Sequence, residues 1–105
     1  MMFTITSHKG MRVEFENGWS VSIQIGPSNY CDNHHADLMA FYDTATKPGG
    51  EYLKSTTAET AVIDPTGKLI ARHDGDTVQG YQTPAQVLQT LIETAAKPEA
   101  EATDG

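Results

Sequence analysis

The sequence predicts a small α+β domain. An antiparallel three-stranded β-meander and a second β-hairpin pack against one C-terminal α-helix, with a long irregular or short-helical insertion between the hairpins. Three observations carry this reading. Glycine closes three short segments at the same offset, in SHKGM, FENGW and DPTGK. Apolar and polar residues alternate on both sides of the first two. Near the C-terminus the apolar period lengthens to that of a helix, in QTPAQVLQTLIETAA.

The Asn17-Gly18 pair sets the first hairpin. A two-residue loop would oppose Phe15 to Ser20 and place Trp19 and Val21 on the wrong face. A three-residue loop, Glu16-Asn17-Gly18, instead opposes Phe15 to Trp19, Val13 to Val21 and Met11 to Ile23. Glycine at its third position takes a left-handed conformation without steric cost. A one-residue slip would turn every apolar side chain into water, so the register is enforced.

The same device, applied to His8-Lys9-Gly10, opposes Ile5 to Val13 and Phe3 to Phe15. Applied to Pro65-Thr66-Gly67, with Asp64 and Pro65 at favoured turn positions, it opposes Asp64 to Lys68, Ile63 to Leu69 and Val62 to Ile70. Strands are therefore expected near 2–7, 11–16, 19–26, 59–64 and 68–73. The meander gathers Phe3, Ile5, Met11, Val13, Phe15, Trp19, Val21, Ile23 and Ile25 on one face, which must be covered. The expected cover is a helix over 84–96. Thr83 is its N-cap, Pro84 its first residue and Gln86 the partner in a capping box. Val87, Leu88, Leu91, Ile92 and Ala95 form its apolar stripe. The domain spans 1–97, and PEAEATDG, 98–105, reads as a disordered tail.

The chain has 105 residues and a net charge of −7, from 14 acidic and 7 basic side chains. With no Lys/Arg cluster to neutralise phosphates, nucleic-acid binding is disfavoured. No apolar run approaches the ~18 residues of a membrane span. MMFTITSHKG carries no secretory-signal pattern and Cys31 has no partner for a disulfide, so an intracellular location is expected.

Residues 26–58 form a connection longer than two hairpins need. Leu38, Phe41, Tyr42 and Ala45 fall at helical spacing, which predicts a short helix over 34–45. Before it, NYCDNHHAD holds thiol, imidazole and carboxylate groups, and Cys31, His34 and His35 are the candidate ligands of a zinc ion. Adjacent histidines diverge by ~100° on a helix, which argues against a shared ion. Cys31 could also be a nucleophile if a histidine or helix end lowered its pKa, but no catalytic motif accompanies it. HDGDTVQGY, with Asp74 and Asp76, lacks the later ligand positions of a calcium loop and reads as a strand exit.

GMRVEFENGWSVSIQIGPSNYC and GDTVQGYQTPAQVLQTL resemble small uncharacterised proteins encoded by bacteriophages and prophages. The resemblance covers both ends of the chain and not the middle. It implies a bacterial host cytoplasm as the setting and an accessory role.

The expected function is that of a non-enzymatic phage protein binding a host or phage macromolecule, such as an inhibitor of a host defence or metabolic protein. A protein partner is expected, with Tyr30, Phe41, Tyr42 and Tyr52 as aromatic anchors beside Cys31 and Asn33. The alternatives are a metal-binding domain and a protein that sequesters a small ligand such as a nucleotide signal. In the latter, GPSNYCDN would form the pocket, Arg12, Lys54 and Arg72 would converge on the anion, and a homo-oligomer could complete the site between subunits.

Overall fold

The structure, a computed structural model, describes residues 1–6, 10–25, 29–32, 55–72 and 74–99. Glu16-Asn17-Gly18 forms the three-residue loop that the alternation requires. The Phe15 N–H donates to the Trp19 carbonyl at 2.8 Å and the Gly18 N–H to the Phe15 carbonyl at 3.0 Å. Gly18 sits at φ +88°, in the left-handed region. From this loop β2 (Gly10–Glu14) and β3 (Ser20–Gln24) pair with Met11 opposite Ile23 and Val13 opposite Val21, as predicted.

The preceding hairpin corrects the expected register. β1 (Met2–Ile5) pairs Ile5 with Met11 and Phe3 with Val13, two residues from the expected partners. The Thr6 N–H donates to the Gly10 carbonyl at 3.1 Å, so Gly10 belongs to the ladder and not to the loop. Its glycine answers a different need. A Cβ there would lie 2.0 Å from the Ile23 carbonyl oxygen and 2.9 Å from the Gln24 Cα. Because the strand period is two, the shift leaves each apolar side chain on its expected face.

β4 (Ala58–Ile63) adds to β3, and β5 (Val78–Gln82) adds to β4, giving one antiparallel sheet in the order β1-β2-β3-β4-β5. The second hairpin thus extends the meander's sheet. Its turn forms as predicted, with Gly67 at φ +92° and the Asp64 N–H bonded to the Lys68 carbonyl. The expected strand over 68–73 does not. Among the described residues its backbone ties to β4 are the Ile63–Leu69 bridge and one bond from the Ile70 N–H to the Val62 carbonyl. A second tight turn starts at Arg72, whose N–H donates to the Asp76 carbonyl while Gly75 donates to the Arg72 carbonyl. It returns the chain to the same edge of β4, which β5 then occupies from Ala61 to Ala58. VQGYQ, read as an exit segment, is therefore a strand. It carries a bulge, with Tyr81 at φ +53°.

Asp64 holds the second turn closed. Its carboxylate accepts from the Thr66 N–H at 2.9 Å, the Thr66 hydroxyl at 2.6 Å and the Lys68 N–H at 3.0 Å. The Thr66 hydroxyl and then the Lys68 N–H hold this carboxyl below the ordinary aspartate value. A depressed carboxyl pKa stabilises the fold above the unfolded value and loses that contribution as pH falls through the folded one. The urea midpoint should therefore fall below about pH 4, and Asp64→Asn should flatten part of that fall. An acid profile unchanged by the substitution would refute the assignment.

The helix α1 (Pro84–Ala95) starts as predicted. Gln86 N–H donates to the Thr83 hydroxyl oxygen, and the Gln86 side-chain oxygen accepts from the Thr83 N–H at 2.8 Å. Its packed face differs from the expected stripe. Thr94 is buried and Val87, Thr90 and Leu91 are half-buried, whereas Leu88, Ile92 and Ala95 are exposed. The helix lies over β3, β4 and β5 and does not reach β1 or β2. The core is accordingly centred on Val21, Ala58, Thr60 and Val62.

The far end of the helix is tied to the first hairpin by Asn17. Its Nδ2 donates to the carbonyls of Thr94 at 2.9 Å and Lys97 at 3.0 Å, with a longer contact of 3.4 Å to Ala95. Its Oδ1 accepts from the Trp19 N–H at 3.0 Å. A helix C-terminus leaves its last carbonyls without intrahelical partners, and this loop amide supplies them. The Lys97 ammonium then sits 4.8 Å from the centre of the Trp19 ring, which adds a cation–π contact at the same corner.

Candidate functional site

Of the residues singled out in the long connection, the described ones are held for structural reasons. Tyr30 lies against β5: its carbonyl accepts from the Tyr81 N–H at 2.7 Å, and its N–H donates to Glu59 Oε2 at 2.8 Å. Its Cβ fills the space over Gly80, where an added Cβ would come within 2.5 Å. The Tyr30 ring remains half exposed, but Cys31 is buried and in no disulfide. That placement withholds its sulfur from solvent and fits a packing role better than a nucleophile's. Asp32 closes the base of the connection. It accepts from the Thr56 N–H at 2.7 Å and from the hydroxyls of Thr56 and Thr57, which lowers its pKa through those threonine bonds.

Asn33, His34, His35, Phe41, Tyr42 and Tyr52 lie outside the described residues, as does the helix expected over 34–45. Among the described residues no three His, Cys, Asp or Glu side chains gather as a metal site. The expected convergence of basic residues is not formed by the pair that can be placed. Arg12 bonds Ser20 Oγ at 2.9 Å on one face of the sheet, while Arg72 bonds Thr60 Oγ1 at 2.8 Å on the other.

The feature that stands out is an apolar surface. Two rows of side chains cross the sheet on the helix side. One runs Phe3, Val13, Val21, Val62 and the other Ile5, Met11, Ile23, Thr60. Burial rises along each row toward the helix. Phe3 is 70% exposed and Val21 fully buried; Ile5 is 77% exposed, Met11 41%, and Thr60 1%. The exposed half of the sheet adjoins the flank of α1 that carries Leu88, 56% exposed, and Ile92 on the same helix is 54% exposed. Between them Ile23, Ile25, Ala58, Val87, Leu88 and Leu91 line a mostly apolar pocket of about 270 Å³.

Sequence reasoning placed these side chains on the correct face but gave them too large a cover. A helix is about 10 Å across and strands are spaced about 4.8 Å apart, so one helix spans two or three strands. That arithmetic, applied to five strands, would have exposed the shortfall.

The other flank of α1 borders a cleft of about 490 Å³ of different character. Arg72, Gln79, Gln86, Glu93 and Lys97 supply its polar wall, and Val62 and Ile70 part of its apolar floor. Arg72 Nη1 is buried, away from solvent, without a hydrogen-bond partner among the described residues. Desolvation, opposed by the charges of Asp74 and Glu93, pulls the Arg72 pKa below its ordinary value.

No helix among the described residues is long and apolar enough to cross a membrane. Compared with known proteins, the chain matches no family model, no curated protein and no solved structure.

Proposed function

We propose that this protein is a non-enzymatic binding module whose partner is an extended segment of another protein, added to the free edge of β1. The observation that carries this reading is the exposed apolar half of the sheet, Phe3, Ile5 and Met11, beside the α1 flank that carries Leu88. A monomer rarely leaves so many large apolar side chains together in water unless another surface covers them.

The edge itself favours strand addition. Among the described residues β1 ends the sheet, so one side of its backbone is unpaired there. Met2–Ile5 contains no charge, proline or bulge, the devices by which edge strands discourage a newcomer. A partner strand would gain main-chain bonds from this edge. It would gain specificity from an apolar side chain reaching across Ile5 and Met11 toward the 270 Å³ pocket. With a net charge of −7, the surrounding surface suits a partner with basic residues at the rim. The resemblance of the chain's ends to phage proteins supports a host or phage protein as that partner, within a bacterial cytoplasm.

Native mass spectrometry of the chain purified from the cells that produce it should show a heteromeric complex. Ile5→Lys should weaken the identified partner at least 30-fold, the measure of a 2 kcal/mol anchor. Leu69→Lys, which alters an exposed apolar residue on the second hairpin, should leave binding unchanged. Hydrogen exchange should show protection of the β1 amides in the complex. A partner that Ile5→Lys does not release, or a chain that carries none, would overturn the proposal.

A further inference from the structure

The hydrogen bonds that close the first two hairpins also fix which backbone groups the outer strand leaves open. The Thr6 N–H donates to the Gly10 carbonyl at 3.1 Å, in the register that pairs Thr4 with Arg12 and Met2 with Glu14. In an antiparallel ladder, bonded pairs alternate with unbonded ones. Met2, Thr4 and Thr6 therefore turn their backbone N–H and C=O groups toward β2, and Phe3 and Ile5 turn theirs outward. The next ladder agrees. The Phe15 N–H donates to the Trp19 carbonyl at 2.8 Å, so Met11 and Val13 bond β3 while Arg12 and Glu14 bond β1. Among the described residues no strand lies beyond β1 to meet the outward groups. Phe3 and Ile5 also carry the most exposed side chains of the apolar face, at 70% and 77%. The same two residues thus offer a newcomer both backbone bonds and apolar contact.

Taking the protein as the strand-addition module proposed above, we infer the code its partner segment must carry. The segment runs antiparallel to β1 with two aliphatic residues two positions apart, a neutral polar residue between them, and a lysine or arginine directly after the second. The first aliphatic residue pairs with Ile5 and the second with Phe3. Each such pair exchanges both of its main-chain bonds and holds its side chains on the helix side of the sheet. A parallel strand would bond this edge through its polar positions instead, by slanted and slightly weaker bonds. The residue between the aliphatic pair falls opposite Thr4, whose other neighbour is Arg12. A cation there would meet a like charge, so a neutral side chain fits. The residue after the pair falls opposite Met2, and Glu14 stands one strand further in, exposed on the same face. Two strand spacings make about 10 Å, which a lysine or arginine and a glutamate span together across Met2. Arg12 leans the other way, with its Nε on Ser20 Oγ at 2.9 Å.

The test uses the full-length ¹⁵N-labelled chain, titrated with the peptide acetyl-Ser-Val-Thr-Val-Lys-Ser-amide and followed by NMR. Saturable shifts are expected along β1, with amide exchange slowed at Phe3 and Ile5 and unchanged at Thr4. Methylating both valine nitrogens of the peptide, which face β1, should weaken it about tenfold or more, the measure of two neutral hydrogen bonds. Methylating its threonine and lysine nitrogens, which face away, should leave the affinity unchanged. Glu14→Gln should weaken the peptide about threefold, and should not affect a peptide with serine in place of the lysine. Three results would overturn the code: no saturable binding, equal losses from both methylated peptides, or a loss confined to the peptide methylated at threonine and lysine, the mark of a parallel strand. The native partner separates this outcome from the fate of the module itself. A partner released by Ile5→Lys while the peptide does not bind rejects the code alone. A partner indifferent to Ile5→Lys rejects strand addition and the code with it.

Discussion

Replacing Asn17 by aspartate should cost about 3–4 kcal/mol of folding stability, a large part of the 5–15 kcal/mol available to a small domain. The change alters one atom of the side chain, and its effect comes from what that atom does. Asn17 Nδ2 donates to the Thr94 carbonyl in the last helical turn at 2.9 Å and to the Lys97 carbonyl just beyond it at 3.0 Å, in a site where the residue is only 9% exposed. Aspartate has no hydrogen to offer there and brings a negative charge to the negative end of the helix. Asn17→Ala should cost less, about 2 kcal/mol, because it removes the bonds without adding repulsion. The two variants also separate by pH. Protonation restores a donor to the aspartate, so its midpoint in urea should recover toward that of the alanine variant as pH falls from 7 to 5. An aspartate variant as stable as the parent at pH 7 would show that the tie carries no weight.

Gly10→Ala should cost about 3 kcal/mol. The added methyl would have to occupy a point 2.0 Å from the Ile23 carbonyl oxygen, and that oxygen belongs to the backbone of the neighbouring strand. A flexible side chain could swing aside, but here β2 and β3 must separate locally and give up ladder bonds. Gly67→Ala provides the contrast. No atom lies within 4 Å of its added methyl, and the cost is that of φ +92° alone, about 1–2 kcal/mol. Denaturant midpoints of the two variants measure the difference between a blocked approach and a strained turn. Equal losses would mean that the strands at Gly10 can part without penalty.

Those two glycines mark how far the fold could be read from the residues. Where a constraint is local, the reading holds. The Asn17-Gly18 loop, the Pro65-Thr66-Gly67 turn and the Thr83/Gln86 capping box each depend on residues within four positions of one another. Their hydrogen bonds form as expected. Where the constraint comes from a distant segment, the reading misassigns the residue. Gly10 looks like a turn glycine because SHKGM has the spacing of one, yet its requirement comes from Ile23. VQGYQ hides its strand because its glycine faces Tyr30 and its tyrosine adopts a left-handed φ, neither of which alternation records. The helix stripe was misjudged for a related reason. Leu88 and Ile92 complete an apolar period, but sheet width, not period, decides which part of it is covered.

The apolar face was legible in outline, since Phe3, Ile5 and Met11 alternate on one side. Its exposure was not, because it depends on how many strands the helix reaches. The Arg72 cleft left no local signal. It needs Thr60 on β4, Gln86 and Glu93 on α1, and a turn at Arg72 that breaks an expected strand. The candidate anchors in the long connection were chosen by residue type alone, and Tyr30 and Cys31 are held there by backbone bonds and burial.

The tie between Asn17 and Thr94 spans 77 residues. During synthesis the first two hairpins can close within moments of leaving the ribosome, because their partners are neighbours in the chain. Val21 and Val62 acquire their roof only after α1 has emerged, and the amide that clamps the roof has waited since the first hairpin formed. A nascent chain stalled short of residue 94 therefore presents the whole sheet face bare, and it is at that stage that a chaperone would find most to hold.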